Sequence, residues 1–260
     1  MSSHAEPDFL IIGAQKAGTT SLYEYMVQHP AIEPASKKEI HYFDKNFYKG
    51  RWWYRSHFPK KNRMPDKITG EASPSYLFYP GTARRIHKVL PRARLLVLLR
   101  NPVDRAISSY FHQQQKGVEK LSLEDALDME EKRLARYRRR MGHGWLSARS
   151  SKNFRRFAYL TRGLYAKQLR EYLRYFPWEQ LWVEQSEIFF LQPARVVKEA
   201  FRFLGIGQSY VPGDLKPRNV HHYDQVSLAT RKELEAFYRP HNEELFALLG
   251  RRFNWDSTDS

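Results

Sequence analysis

The sequence predicts an α/β fold with three layers: a mainly parallel sheet flanked by helices, with a phosphate-binding loop after the first strand. Three observations carry this. Phe9-Leu-Ile-Ile12 is a short apolar run closed by Gly13, the form of a strand buried on both faces. Gly13 to Thr20 is a small-residue loop that runs into a helical stretch, with Leu22 and Met26 four apart. Leu95-Leu-Val-Leu-Leu99 is apolar throughout, and strands of this kind alternate with helical spacing along the chain.

His29-Pro30 ends the first helix, because proline lacks an N–H and restricts the residue before it. Residues 31 to 66 are polar, aromatic and proline-containing without a sustained period, and read as a long functional loop with short elements. Ile68 to Glu71 reads as a strand, and Ala83, Ile86 and Leu90 as an amphipathic helix stopped by Pro91. A helix is expected to start near Val103, after Arg100-Asn101-Pro102. Tyr165, Leu169, Tyr172, Leu173 and Phe176 share one helical face. Leu181-Trp-Val183 reads as a strand, and Ala194, Val197, Phe201 and Leu204 mark the next helix. A last helical pattern, from about Leu228 to Leu249, is interrupted by Pro240. There is no internal repeat and no domain linker, so residues 1–260 are expected to form a single domain, with 1–8 and 256–260 as flexible ends.

The chain has no cysteine, which excludes disulfides, thiolate metal sites and cysteine nucleophiles. The N-terminus has no basic region and no long apolar stretch, so the chain is expected to be soluble and cytoplasmic, with no membrane span. The net charge of +16 favours polyanionic partners. Ten basic residues and no acid fall between 132 and 156, either a solvated face or a clamp for an anionic acceptor. Trp52, Trp53, Tyr54, Tyr76 and Tyr79 could stack on sugars or apolar rings, although most such residues are core.

Gly13-Ala-Gln-Lys16-Ala-Gly18-Thr19-Thr20 suits an anion. Amides at a helix start point outward, Gly18 permits close approach, Thr19 and Thr20 add hydroxyls and Lys16 adds a charge. It is not a Walker A loop, since Lys16 precedes Gly18 rather than following it. That argues against a kinase or other NTPase. A basic nucleic-acid-binding module is the non-enzymatic alternative, but no helix-turn-helix or RNA-motif signature is present, and nucleic acid is not expected as a partner.

Lys16-Ala-Gly-Thr-Thr20, Lys38-Glu-Ile-His-Tyr-Phe-Asp44, Gly70-Glu-Ala-Ser-Pro-Ser-Tyr76 and Leu99-Arg-Asn-Pro-Val-Asp-Arg-Ala-Ile-Ser-Ser-Tyr110 resemble, in order, the motifs of the 3′-phosphoadenosine 5′-phosphosulfate (PAPS)-dependent sulfotransferase superfamily. The closest likeness is to its heparan-sulfate-type branch and bacterial relatives, and Leu249 to Trp255 also looks familial. The resemblance implies transfer of a sulfuryl group from PAPS, leaving PAP, to a hydroxyl or amine of a small-molecule or glycan acceptor. It assigns Lys16, Ala17, Gly18, Thr19 and Thr20 to the 5′-phosphosulfate and Arg100 and Ser108 to the 3′-phosphate. It makes Glu39 the general base, with Lys16 and His41 as catalytic partners, and gives His41, Asp44 and Tyr76 to the acceptor. No metal is expected. Two departures stand out: Ala72 occupies a position often held by lysine, and the 3′-phosphate loop shortens to Leu215–Asn219, where Lys216 and Arg218 could still grip the nucleotide.

Overall fold

The computed structural model describes residues 4–141, 154, 156–218 and 226–255. Contacts group the chain into two compact units, Met1–Leu99 with Arg170–Val220, and Arg100–Leu169 with His221–Ser260.

The first unit holds the sheet. Its strands are β1 (Phe9–Gly13), β2 (Ile32–Pro34), β3 (Ile68–Ala72), β4 (Arg94–Leu99) and β5 (Leu181–Gln185), all parallel in the order β2-β3-β1-β4-β5. Every residue of β1 is buried, as its unbroken apolar run requires of a central strand. The chain leaves β1 toward β2 on one side, and β3 later leads across to β4 on the other. The loop after β1 therefore lies where the strand order reverses, the place at which open parallel sheets bind ligands.

Helices α1 (Thr19–Met26), α2 (Gly50–Arg55) and α3 (Thr82–Val89) connect the early strands. In the second unit α4 (Pro102–Gln115) is capped by Asn101, whose side chain accepts from Val103 N, with Pro102 in the first turn. It is followed by α5 (Leu123–Asp128), α6 (Glu130–Met141) and α7 (Tyr165–Leu173). The chain returns through α8 (Ser186–Leu191) and α9 (Pro193–Leu204) and ends with α10 (Leu228–Leu249).

Three expectations need correction. Residues 4–8 are held in place: Ala5 N donates to Pro59 O at 2.8 Å, Asp8 N to Thr69 O at 2.8 Å, and Arg55 Nη2 to His4 O at 2.6 Å. The stretch 31–66 is more structured than its lack of period suggests, with β2 on the sheet edge, a single π turn at Tyr42–Asn46 and α2. Helix α10 runs through Pro240 without a break. Buried residues continue at Leu234, Tyr238, Asn242, Leu245 and Phe246, so packing on both sides of the proline outweighs its missing hydrogen bond.

In the second unit Val103, Ile107, Tyr110, Phe111, Leu123, Leu234 and Tyr238 form the core. Two buried carboxylates organise its loops. Glu119 accepts from Arg133 Nη1 at 2.5 Å, Arg133 Nη2 at 3.1 Å and Tyr159 Oη at 2.9 Å. Glu130 accepts from Leu160 N, Thr161 N and Thr161 Oγ1 at 2.5–2.9 Å. Arg133 thus serves structure rather than a solvated face or an acceptor clamp. Residues 142–153 and 155 of the basic stretch lie outside the described residues.

Gly70 of β3 sits opposite Phe9 of β1, and a Cβ there would lie 2.5 Å from Phe9 O and 2.6 Å from its ring. Neither backbone nor a fully buried ring can yield. Gly70→Ala should therefore lower unfolding free energy by about 1–3 kcal/mol, read as a shift of the urea midpoint at unchanged slope; an unshifted midpoint would refute the packing argument.

Candidate active site

The loop after β1 forms as its composition requires. Gly18 is the N-cap of α1 with φ 86°, a left-handed conformation natural to glycine, and no side chain caps the helix. A Cβ at Gly18 would lie 2.7 Å from the Phe190 ring. Lys16 also has positive φ, at 70°, and is half-buried. Ala17 corrects an expectation: it is fully enclosed, its N–H bonds to Ala14 O at 3.2 Å and its carbonyl accepts from Ser186 Oγ at 2.9 Å. Its backbone thus shapes the loop.

A strap from the far end of the chain runs back along α1. His29 Nε2 meets Gly207 O at 2.9 Å, Gln28 Nε2 donates to Asp214 O at 2.9 Å, Tyr25 Oη to Leu215 O at 2.9 Å, and Arg218 N to Ser21 Oγ at 2.9 Å. The partners step from the C-terminal end of α1 to its first turn. Arg218 therefore arrives beside the helix start, with its guanidinium paired to Asp214. Lys216 is exposed on the same strap, and Asn219 lies outside the described residues.

The second constellation is the segment 39–44. Glu39 and His41 both have left-handed backbones, φ 56° and 55°, which cost roughly 1–2 kcal/mol each for residues with a Cβ. Four hydrogen bonds hold them there. Glu39 N donates to Ala72 O at 3.1 Å, Ile40 N to Glu71 Oε2 at 3.3 Å, His41 N to Ser73 Oγ at 3.2 Å and Tyr42 N to Tyr76 Oη at 2.8 Å. All four acceptors belong to the end of β3 and the turn after it. In that conformation His41 Nε2 lies 3.3 Å from Glu39 Oε2, and its Nδ1 lies 3.1 Å from Asp44 Oδ2. Ser75 Oγ also donates to Asp44 Oδ2 at 2.6 Å.

An imidazole that donates from both nitrogens is an imidazolium. Burial pushes the His41 pKa down, but bonds to Asp44 and Glu39 outweigh it and hold it above the ordinary imidazole value. The bond from His41 holds the Glu39 carboxyl below its usual range against partial burial. Burial raises Asp44, and His41 and Ser75 more than reverse that. The Asp44 side chain is fully enclosed while that of Glu39 is 44% exposed, so Glu39 alone of the two carboxylates can meet an acceptor.

Glu71 is the residue that sequence reasoning missed. It is fully buried, and its carboxylate accepts from Tyr54 Oη at 2.9 Å, Tyr76 Oη at 2.9 Å, Ser73 Oγ at 2.7 Å and Ile40 N at 3.3 Å. Burial raises its pKa, and the three hydroxyl bonds oppose that. Tyr76, assigned to the acceptor, is itself fully enclosed; its hydroxyl supports the base segment from beneath. Lys38 was also overlooked. Its ammonium donates to Thr20 Oγ1 at 2.5 Å, joining the segment around Glu39 to the start of α1. Both residues are ordinary letters in sequence; only three-dimensional contact distinguishes them.

Arg100 and Ser108 belong to the other unit. Arg100 directly follows β4, and its carbonyl accepts from Tyr165 Oη at 2.9 Å; Ser108 is buried within α4.

With this geometry in view, the similarities to known proteins are decisive. The profile of the sulfotransferase domain family matches residues 6–236. The chain belongs to that family. A membrane-associated sulfotransferase, kil1 of Dictyostelium discoideum, is 30% identical over 96% of this chain and 67% of its own length. Mouse heparan sulfate glucosamine 3-O-sulfotransferase 6 is 30% identical over 96% of this chain and 74% of its own. The crystal structure of a sulfotransferase from Alicyclobacillus acidocaldarius superposes with a TM-score of 0.79 at 34% identity, covering 97% of this chain and 100% of that one. The sulfotransferase is therefore an enzyme of the family its four motifs resemble. None of these similarities points to an NTPase or a nucleic-acid-binding protein. Among the described residues, no helix is long and apolar enough to cross a membrane.

Glu71→Gln keeps the shape of the clamp but presents an amide donor to hydroxyl and amide donors. Turnover of the sulfotransferase should fall at least about tenfold, with stability reduced by about 1–3 kcal/mol and PAP affinity within about twofold. Equal turnover in the two proteins would show that the base segment needs no clamp.

Proposed function

We propose that this sulfotransferase moves a sulfuryl group from PAPS to a hydroxyl or amine of an acidic glycan, with Glu39 as general base. The observation that carries the reading is the bond from Lys38 to Thr20. It sets a half-exposed carboxylate, one residue along, beside an uncapped helix start. The donor set there suits a nucleotide bearing two anionic groups: a glycine N-cap, Thr19, Thr20, Lys16 and Lys38, with Lys216 and Arg218 brought along by the strap. PAPS supplies a sulfur–oxygen bond to phosphate that breaks as the acceptor's bond to sulfur forms. The residues of the chain do the rest. Glu39 takes the acceptor proton, Lys16 and the helix start hold anionic oxygens, and Arg100 and Ser108 are assigned the 3′-phosphate by resemblance. The glycan acceptor is supported by the heparan sulfate enzymes among the relatives and by the net charge of +16.

The test of the donor site is calorimetry with PAP, using ATP as control. PAP should bind tightly, ATP should not match it, and Lys16→Ala should weaken PAP. Glu39→Gln should reduce turnover by roughly 10²–10⁴-fold with PAP affinity retained. Absence of PAP binding would remove the reading, and full turnover in the glutamine variant would remove Glu39 from the base role.

His41 adds a pH signature. While His41 is charged, Glu39 is a weak base; once His41 is neutral, its free Nε2 can share the proton that Glu39 takes. Turnover should thus rise as pH passes upward through the His41 pKa, which lies above the ordinary value of about 6.5. Asp44 helps to hold that pKa up, so Asp44→Asn should move the rising limb to lower pH. A limb that stays in place would exclude His41 as its origin.

A further inference from the structure

The outer face of α2 is not used by the chemistry above, and its composition is unusual for a solvated helix. Trp52 is 78% exposed and Tyr48, just before the helix, is 79% exposed. Scattered single rings need no explanation, but large rings four positions apart within a rim of polar residues are the kind of surface that marks contact sites. Cations lie beside the tryptophan rings of this stretch. Lys49 Nζ lies 4.3 Å from the centre of the half-buried Trp53 ring, and Arg55 Cζ lies 5.6 Å from the centre of Trp52. Lys45, Lys49, Arg51 and Arg55 fall within this stretch without one acidic residue, and Glu6 pairs with Arg51 and Arg55. The cations therefore exceed the acid that faces them.

The same short helix is fixed from below. Tyr54 is fully buried and donates to Glu71 Oε1 at 2.9 Å, while the other oxygen of that carboxylate accepts from Ile40 N. One carboxylate thus anchors both α2 and the segment that presents Glu39. Through Tyr54 and Glu71, α2 is therefore tied to the segment that carries Glu39.

We propose that Tyr48, Lys49, Arg51 and Trp52 form a platform for an acidic polysaccharide, holding the part of the acceptor chain beyond the sugar that reacts. The proposal rests on the glycan-acceptor reading. Flat rings provide contact area for the sugar faces, and the adjacent cations match carboxylates or sulfates along such a chain. Of the five aromatic residues singled out in sequence, Tyr54, Tyr76 and Tyr79 are buried and Trp53 is half-buried. Trp52 is the one left mostly exposed, with Arg55 beside its ring.

The experiment is calorimetric titration of the full chain, with PAP present, against a heparin-derived tetrasaccharide and a heparin-derived decasaccharide. Wild type is compared with Trp52→Ala and Lys49→Ala; both substitutions lie on the surface and should leave folding intact. Decasaccharide affinity should fall at least about fivefold in Trp52→Ala, and less steeply in Lys49→Ala. Tetrasaccharide and PAP affinities should stay within about twofold in both. If wild type binds both oligosaccharides and the variants bind the decasaccharide equally well, the platform is overturned and the glycan reading stands. If wild type binds PAP but neither oligosaccharide, the glycan reading falls and takes the platform with it. Loss of binding to phosphatidylserine vesicles in Trp52→Ala, with decasaccharide affinity unchanged, would assign the surface to a membrane and overturn the proposal.

Discussion

A carboxylate cannot be buried in a protein interior without donors to replace water, and the site is built around one that has them. Removing an ion from water costs several kcal/mol even after relaxation. Glu71 offsets part of this through three hydroxyl groups and one amide, each bond to the charged form contributing about 1.5–3 kcal/mol, although burial still holds its pKa above the ordinary carboxylate value. The donors come from three directions: Tyr54 from α2, Ser73 and Tyr76 from the turn after β3, and Ile40 from the base segment. Loss of the carboxylate would strand all of them at once. The strained backbones of Glu39 and His41 persist because this cluster over-determines their position.

The start of α1 is supported in the same manner, by bonds arriving from elsewhere in the chain. The strap pairs with α1 at His29, Gln28, Tyr25 and Ser21, and Lys38 reaches Thr20 from the opposite part of the sequence. Burial lowers the Lys38 pKa and the charge of Glu39 opposes that, so the two residues depend on each other. The positive charge around the loop is assembled from three distant segments, which explains why no single basic cluster in the sequence marks it. Arg133, in the most basic stretch, is instead spent on a buried glutamate of its own unit.

Legibility in the sequence followed burial and locality. Strands β1 and β4 are apolar throughout because both faces are covered, and that pattern needs no knowledge of neighbours. Helix α9 shows its buried positions Val196, Val197, Ala200, Phe201 and Leu204 at helical spacing. Strand β2 has three residues and lies at the edge with a proline at its end, too short for any alternation to register. Residues 4–8 look like a loose end because their partners, Pro59 and Thr69, lie more than fifty positions away. The lysine and threonines of the first loop are singled out by local chemistry. Glu39 is singled out only through resemblance, since nothing nearby in sequence distinguishes it from a solvated acid. Glu71 was readable by neither route, because its function consists of contacts made at long range.

The division of labour between Glu39 and Asp44 follows from the same geometry. Both carboxylates accept from one imidazole and both are held below their usual range, so charge alone does not choose between them. Access does. Asp44 is closed off and shares its Oδ2 with Ser75, which fixes the imidazole through Nδ1. Glu39 keeps one face open and meets Nε2 at the longer distance of 3.3 Å. The buried acid therefore orients the histidine, and the open acid is left accessible. In the base role proposed for Glu39, a stronger bond to His41 would make a more stable ion pair and a poorer base. The fold places the shorter contact on Asp44.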